Sequence, residues 1–164
     1  MLITPQYRTL NAHLHAKRAS YGNHGAEHAD RIRAMLAAGR FTTVLDYGCG
    51  KGKLVKELEC EGYDPAIKEF CTLPKPADIV VALDVMEHIE PDCLDDVLRH
   101  ISSLCKVAYL VISLRPAQKQ LDDGRNAHLI VESDLWWKNK LRQFFKMVKT
   151  IELKPNYELT VLCC

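Results

Sequence analysis

The segment Val44-Leu45-Asp46-Tyr47-Gly48-Cys49-Gly50-Lys51-Gly52-Lys53-Leu54 constrains this chain more than any other. An apolar run ends in an acid and then breaks into three alternating glycines. Glycine has no Cβ, so the backbone at Gly48, Gly50 and Gly52 can take positive φ and approach a ligand closely. Residues 51–60 have helical composition, which aims the first N–H groups and the positive dipole end at the same place. Strand, glycine turn and helix together predict a nucleotide-type cofactor site.

Spacing narrows the ligand. A dinucleotide fingerprint is Gly-x-Gly-x-x-Gly, with pyrophosphate on the helix N-terminus. Here the third glycine comes one residue early, and Asp46 stands two residues before the first, where it would repel a pyrophosphate and suit a cation. S-adenosylmethionine meets these conditions: it carries an ammonium and a sulfonium, has no phosphate, and presents a ribose diol that wants a carboxylate. Asp64, in Gly62-Tyr63-Asp64-Pro65, lies eighteen residues after Asp46. That is about the interval at which the acid ending a second strand reaches a ribose in a βαβ unit.

From about residue 43 to the C-terminus the chain resembles the class I S-adenosylmethionine-dependent methyltransferases. The glycine loop with Asp46 is similar to the first motif of that family, and residues 62–65 to its ribose-binding acid. Ala77-Asp78-Ile79-Val80-Val81-Ala82-Leu83-Asp84-Val85-Met86-Glu87-His88-Ile89 resembles the fourth strand and following turn of the small-molecule branch. The resemblance implies cofactor contacts from Asp46, Gly48, Cys49, Gly50, Gly52, Asp64 and Pro65. It implies adenine and methionine contacts near Asp84, Val85 and residues 70–73, including Leu73. One piece is missing: thirteen residues separate Asp64 from Asp78, where the family fits a helix and a third strand. That strand is expected to be shortened or absent.

Periodicity predicts helices over 7–16, 27–38, 51–60, 91–104 and 132–145. Strands are predicted over 42–46, 62–64, 78–83, 107–113, 147–153 and 157–162, the last two as a hairpin across Lys154-Pro155-Asn156. This order predicts an α/β fold of Rossmann-like type: an open, mostly parallel sheet with helices on both faces and an antiparallel last strand. Residues 1–164 read as a single methyltransferase domain, with a helical arm over 1–40 and a cofactor-binding core over 41–164. Ligands of such sheets bind beyond the carboxyl ends of the strands, which collects Asp46, Asp64 and Asp84 on one rim. The polar loop 114–130 is expected to wall the substrate side, and the arm, through Tyr21, to close over the methionine end or the acceptor.

Methyl transfer needs alignment above all, and a base where the acceptor arrives protonated. His88, after the fourth-strand motif, and His128, in loop 114–130, are the catalytic candidates. Cys49 sits where the cofactor loop needs a small residue and reads as packing, not as a nucleophile, since a thiol needs a cationic neighbour to become a thiolate. The seven cysteines show no paired Cys-x-x-Cys spacing, so neither a zinc site nor a disulfide framework is expected. His24 and His28 are four apart with Glu27 and Asp30 nearby, but Gly22 and Gly25 interrupt that helix, and no metal is expected there. Trp136 and Trp137 are neighbours on a helix and cannot both face one ligand, so at least one belongs to core or interface.

Net charge is +1, so no whole-molecule field draws in nucleic acid. The basic stretch Lys138, Lys140, Arg142, Lys146, Lys149 and Lys154 reads as a solubilising face or a phosphate contact. No apolar run reaches the roughly eighteen residues of a membrane span, so a soluble, cytoplasmic monomer or homodimer is expected. The leading function is S-adenosylmethionine-dependent methylation of a small molecule, nucleotide or sugar. The alternatives are methylation of nucleic acid or protein, and a non-catalytic cofactor-binding or partner subunit.

Overall fold

The computed structural model describes residues 1–17, 24–39 and 41–164. Its order begins with helix α1 (Pro5–Lys17), a 3-10 turn over His24–His28, and helix α2 (Ala29–Gly39). Strand β1 (Val44–Tyr47), helix α3 (Lys53–Leu58) and strand β2 (Glu61–Tyr63) follow, then strand β3 (Ala77–Leu83). Helix α4 (Leu94–Leu104), strand β4 (Cys105–Ser113), helix α5 (Asp134–Leu141) and the hairpin of β5 (Val148–Lys154) and β6 (Glu158–Cys163) complete the chain.

The six strands run in the order β2-β1-β3-β4-β6-β5. β2, β1, β3 and β4 are mutually parallel, and β6 is antiparallel to both β4 and β5. The sheet ends at β2, because residues 64–76 form a single 3-10 turn over Lys68–Phe70 and add no strand. The short interval between Asp64 and Asp78 therefore carries no third strand among the described residues.

Alternation along the central strands sends side chains to two faces. Val80, Ala82, Ala108, Leu110 and Ile112 pack with Val97, Leu98 and Ile101 of α4 and Trp137 and Leu141 of α5. Ile79, Val81, Tyr109 and Val111 pack on the other face against Ile32 of α2 and Leu54 of α3. Helices thus cover both faces, and α4 does so with an apolar stripe of helical period at positions 94, 97, 98, 101 and 104. Trp137 is in the core and Trp136 meets it edge-on at 5.1 Å.

Boundaries shifted where the backbone had a local reason to turn. α3 is shorter than 51–60 because Gly52 at φ 68 and Glu59 at φ 51 bracket it in left-handed conformations. α5 starts where the Ser133 side chain accepts the Trp136 N–H. It stops at Leu141, not at 145, because Gln143 and Phe144 switch to shorter-range bonds to Lys140 and Leu141. α1 is capped by Thr4, whose Oγ1 accepts the Tyr7 N–H at 3.2 Å, with Pro5 at the first helical position.

The direction of winding reverses at β1: β2 lies on one side of it and β3 on the other. The carboxyl ends of β1 and β3 flank the crevice made there, which is where open α/β sheets bind ligands.

Candidate active site

β1 delivers Asp46 to the crevice. Its side chain is 5% exposed, and no hydrogen bond reaches its carboxylate among the described residues. Burial, and then the charge of Asp64, lift its carboxyl to about 7. Pairing of Asp46 with Gly62 and of Tyr47 with Tyr63 brings the end of β2 beside the glycine turn. Tyr63 O accepts the N–H groups of Gly48 and Cys49 at 2.6 and 3.1 Å. Asp64, 7% exposed, accepts the Gly50 N–H on Oδ2 at 3.0 Å and the Ala66 N–H on Oδ1 at 2.9 Å. Burial raises the Asp64 carboxyl, against the pull of those two N–H groups and of nearby His15.

The three glycines serve different ends. At Gly48, φ is 78, and an added Cβ would lie 2.5 Å from a methyl of Val85. At Gly52, φ is 68, and a Cβ would lie 2.6 Å from the ring of Phe70. Gly50 takes φ 52 to aim its N–H at Asp64. Of the three, Gly48 lines the cavity; Gly50 and Gly52 shape the turn from behind.

At the other end of the crevice, β3 finishes at Leu83 and Asp84 turns the chain with φ 54, a left-handed conformation that aspartate tolerates better than most non-glycine residues. The turn that follows is tied down from several directions. The Tyr7 hydroxyl of α1 donates to His88 O at 2.5 Å, and Thr4 donates to Glu90 through its N–H and its hydroxyl. The Ile130 N–H reaches Glu87 O at 3.0 Å, and the Glu87 side chain, fully buried, accepts the Ser113 N–H at 2.8 Å.

His88 Nδ1 donates to Ala127 O at 2.7 Å and His128 Nδ1 to Arg115 O at 2.6 Å. A carbonyl only accepts, so each ring carries its proton on Nδ1 and a lone pair on Nε2. The rings meet edge-on, with centroids 4.6 Å apart. Burial, and then the neighbouring His128, push His88 down to about 3; burial also lowers His128. Both imidazoles are neutral near pH 7.

One cavity of about 430 Å³ joins the two ends. Asp46, Gly48, Cys49, Asp64 and Pro65 line it at the glycine turn, and Asp84, Val85, His88 and His128 line it beyond β3. Loop 114–130 forms a wall. Asn126 ties it by accepting the Ala117 N–H and donating to Ala117 O, both at 2.9 Å. Leu121 and Ala127 of that loop pack on Tyr7 and Leu14 of α1.

A further expected contact falls elsewhere. Leu73 is 66% exposed and away from the cavity, because the turn over 68–70 folds Phe70 inward under the glycines and leaves residue 73 on the surface. Tyr21 lies outside the described residues. Sequence reasoning missed the part of α1 in the site: Tyr7, Asn11 and His15, spaced four apart on one helical face, all line the cavity. Polar residues able to hydrogen-bond, recurring at that spacing, were the signal. Glu87 was read as part of a turn, and nothing in the sequence marked it as buried. The cysteines are free, and burial raises the Cys49 thiol, keeping it protonated.

The switch-point crevice, the glycine turn and its acids define a Rossmann-like, S-adenosylmethionine-dependent methyltransferase. A model of the methyltransferase domain family matches residues 16–150, and the chain belongs to that family. No curated protein matches it in sequence. Among solved structures it is similar to a DhpI complex with SAH, at TM-score 0.60 and 14% identity over 96% of this chain and 95% of that one. It is also similar to the N-terminal domain of EvdMO1 in the presence of SAH and D-fucose, at TM-score 0.58 and 14% identity over 82% and 81%. A third is magnesium protoporphyrin IX methyltransferase from Synechocystis PCC 6803 with bound SAH, at TM-score 0.52 and 16% identity over 84% and 81%.

Proposed function

We propose that this methyltransferase acts on a small molecule, with residues 1–164 working as one domain. The observation that carries the reading is a single cavity with buried carboxylates at one end and two neutral imidazoles at the other. Its volume of about 430 Å³ falls within the range of about 300–1,000 Å³ usual for small-molecule sites.

The residues at the glycine turn fit S-adenosylmethionine. Asp46 is a buried carboxylate with no hydrogen-bond partner among the described residues, and such a group is stabilised by a cation. In this reading Asp46 takes the ammonium, and Asp64, already oriented by two N–H groups, takes the ribose diol. Gly48, Cys49, Pro65 and Val85 supply the surrounding wall. When bound, the cofactor supplies a methyl group already activated by a sulfonium. The chain then has to align the acceptor with that group and exclude water. His88 and His128 sit at the acceptor end, where Asp84 also lines the cavity; His128 serves as the base for the acceptor, and His88, held down to about 3, is too weak a base near pH 7 and orients the acceptor instead.

Residues of α1 and of loop 114–130 wall the cavity, an enclosure that favours a small acceptor over a polymer. The basic stretch also gives little support to nucleic acid: Lys138 pairs with Asp134, Lys140 with Asp95, and Lys154 with Glu158. The names of solved neighbours, with D-fucose or magnesium protoporphyrin IX, point the same way.

A radiolabelled methyl donor tests the proposal. The protein is incubated with pooled hydroxyl-, amine- and carboxylate-bearing small molecules, and separately with tRNA, duplex DNA and protein. Label in the small-molecule fraction is expected. Label confined to a polymer would establish the second reading, and saturable cofactor binding without transfer to any pool would favour the non-catalytic one.

A further inference from the structure

The two imidazoles do not stand alone. Glu87, His88 and His128 each offer a ligand atom, and these atoms lie within 4.8 Å of one another. We propose that the three residues form a binding site for one divalent transition-metal ion at the acceptor end of the cavity. The proposal rests on the small-molecule reading for its substrate class, and on geometry alone for the ion.

Three observations carry it. First, the separation is close to what one ion requires. Ligand atoms at about 2.0–2.2 Å from a shared metal lie about 3.3–3.6 Å apart in tetrahedral geometry, so side-chain rotations that move the ligand atoms by about 1 Å or less complete the site. Second, both rings are already held as metal-binding histidines are held. Each gives its Nδ1–H to a backbone carbonyl, of Ala127 for His88 and of Arg115 for His128, which fixes the ring and leaves Nε2 as the donor. Third, Glu87 is fully buried and only half used. Oε1 accepts the Ser113 N–H at 2.8 Å, while Oε2 has no hydrogen-bond partner among the described residues. A buried oxygen left in this way is costly, and a cation beside it removes the cost.

The donor set selects the ion. Two imidazoles and one carboxylate suit Mn²⁺, Fe²⁺, Co²⁺ or Zn²⁺; Mg²⁺ and Ca²⁺ prefer an all-oxygen shell. Three protein ligands leave positions open, as at catalytic metal sites. His88 and His128 line the cavity, so the open positions face the acceptor. Asp84 lines it too, and its charge acts on both Glu87 and His128, adding to the field that favours a cation. The acceptor class that fits is an oxygen-rich molecule with a hydroxyl, or a pair of adjacent oxygens, able to take those positions. Metals lower the pKa of oxygens they bind, which is the activation the imidazole end was assigned.

The test uses full-length protein without a polyhistidine tag, stripped with a chelator. Co²⁺ and Mn²⁺ are titrated by calorimetry, Co²⁺ also by its visible absorption, and bound metal is counted by elemental analysis. The expected result is one ion per chain with micromolar affinity, weakened at least tenfold in both His128→Ala and Glu87→Gln. Circular dichroism confirms that each variant is folded. Absence of Co²⁺ and Mn²⁺ binding below millimolar concentration overturns the site, as does binding that is undiminished in both folded variants. Cofactor affinity is titrated in parallel. An ion that binds where the cofactor does not sustains the metal site and overturns the methyl-transfer reading; the converse result overturns the metal site alone.

Discussion

Asp64 accepts the Gly50 N–H at 3.0 Å, so the acid assigned to the cofactor's ribose also clamps the glycine turn that shapes the pocket. One carboxylate thereby couples the fold of the turn to ligand affinity.

Asp64→Ala is expected to weaken cofactor binding by about 2 kcal/mol, roughly thirtyfold, through loss of charge-assisted bonds. It also strips the Gly50 and Ala66 N–H groups of their acceptor, at about 1–3 kcal/mol for a buried donor left unpaired. Asp64→Asn keeps an acceptor and should recover part of the stability with less of the affinity. Calorimetry and chemical denaturation separate the two effects; unchanged affinity in Asp64→Ala would remove it from the site.

Gly48 and Val85 predict a second coupling. Gly48→Ala places a methyl 2.5 Å from Val85 in a left-handed backbone, adding a clash to a strain of about 1–2 kcal/mol. Val85→Ala in the same chain should relieve the clash but not the strain. The double variant is therefore expected to be more stable than Gly48→Ala alone and less stable than Val85→Ala alone. Simple additivity in urea denaturation would show that the two residues do not touch.

These residues show where the sequence was readable. β1, β3 and β4 announce themselves because strands buried on both faces need apolar runs, and Asp46 is visible because it interrupts the run of β1. The absent third strand could be counted from the interval between Asp64 and Asp78. Leu73 lies on the surface although the resemblance implied a contact there, because a family likeness carries the segment before β3 but not the way its turn faces. Gly52 looked like a ligand-facing glycine, yet its freedom serves the ring of Phe70. The roles of Tyr7, His15 and Glu87 depend on contacts between elements distant in sequence, such as the bond from Tyr7 to His88 across the turn after β3. The spacing of Tyr7 and His15 marks a shared helical face, but no local pattern encodes which distant element that face meets.

Asp46 gives the site a pH dependence. Its carboxyl is raised to about 7 in the folded protein, above the roughly 3.9 of an unfolded chain. Between those values the folded state holds a proton that the unfolded state has released. Its contribution to stability is fully present below about pH 4 and is lost as pH rises toward 7, by up to about 1.4 kcal/mol per pH unit. A cationic ligand prefers the ionised form, so affinity should run the other way, rising up to about tenfold per unit as pH climbs toward 7 and then levelling. Calorimetry at pH 6, 7 and 8 in buffers of different ionisation heats checks both the rise and the proton released. A flat profile would place the ammonium away from Asp46.

At the acceptor end, His128→Ala is expected to lower turnover on the order of a hundredfold or more while cofactor affinity stays unchanged, because His128 belongs to loop 114–130 and not to the glycine turn. Normal turnover would remove His128 from the mechanism.

The central claim is that buried carboxylates and a side-chain-free turn hold a cationic sulfur nucleoside at the switch between β1 and β3. Isothermal titration of the folded protein with S-adenosylmethionine and with S-adenosylhomocysteine tests it most directly. Saturable binding of both at one site per chain, abolished or strongly weakened in Asp46→Ala with the fold intact, is the predicted result. No binding of either compound at millimolar concentration would contradict the account.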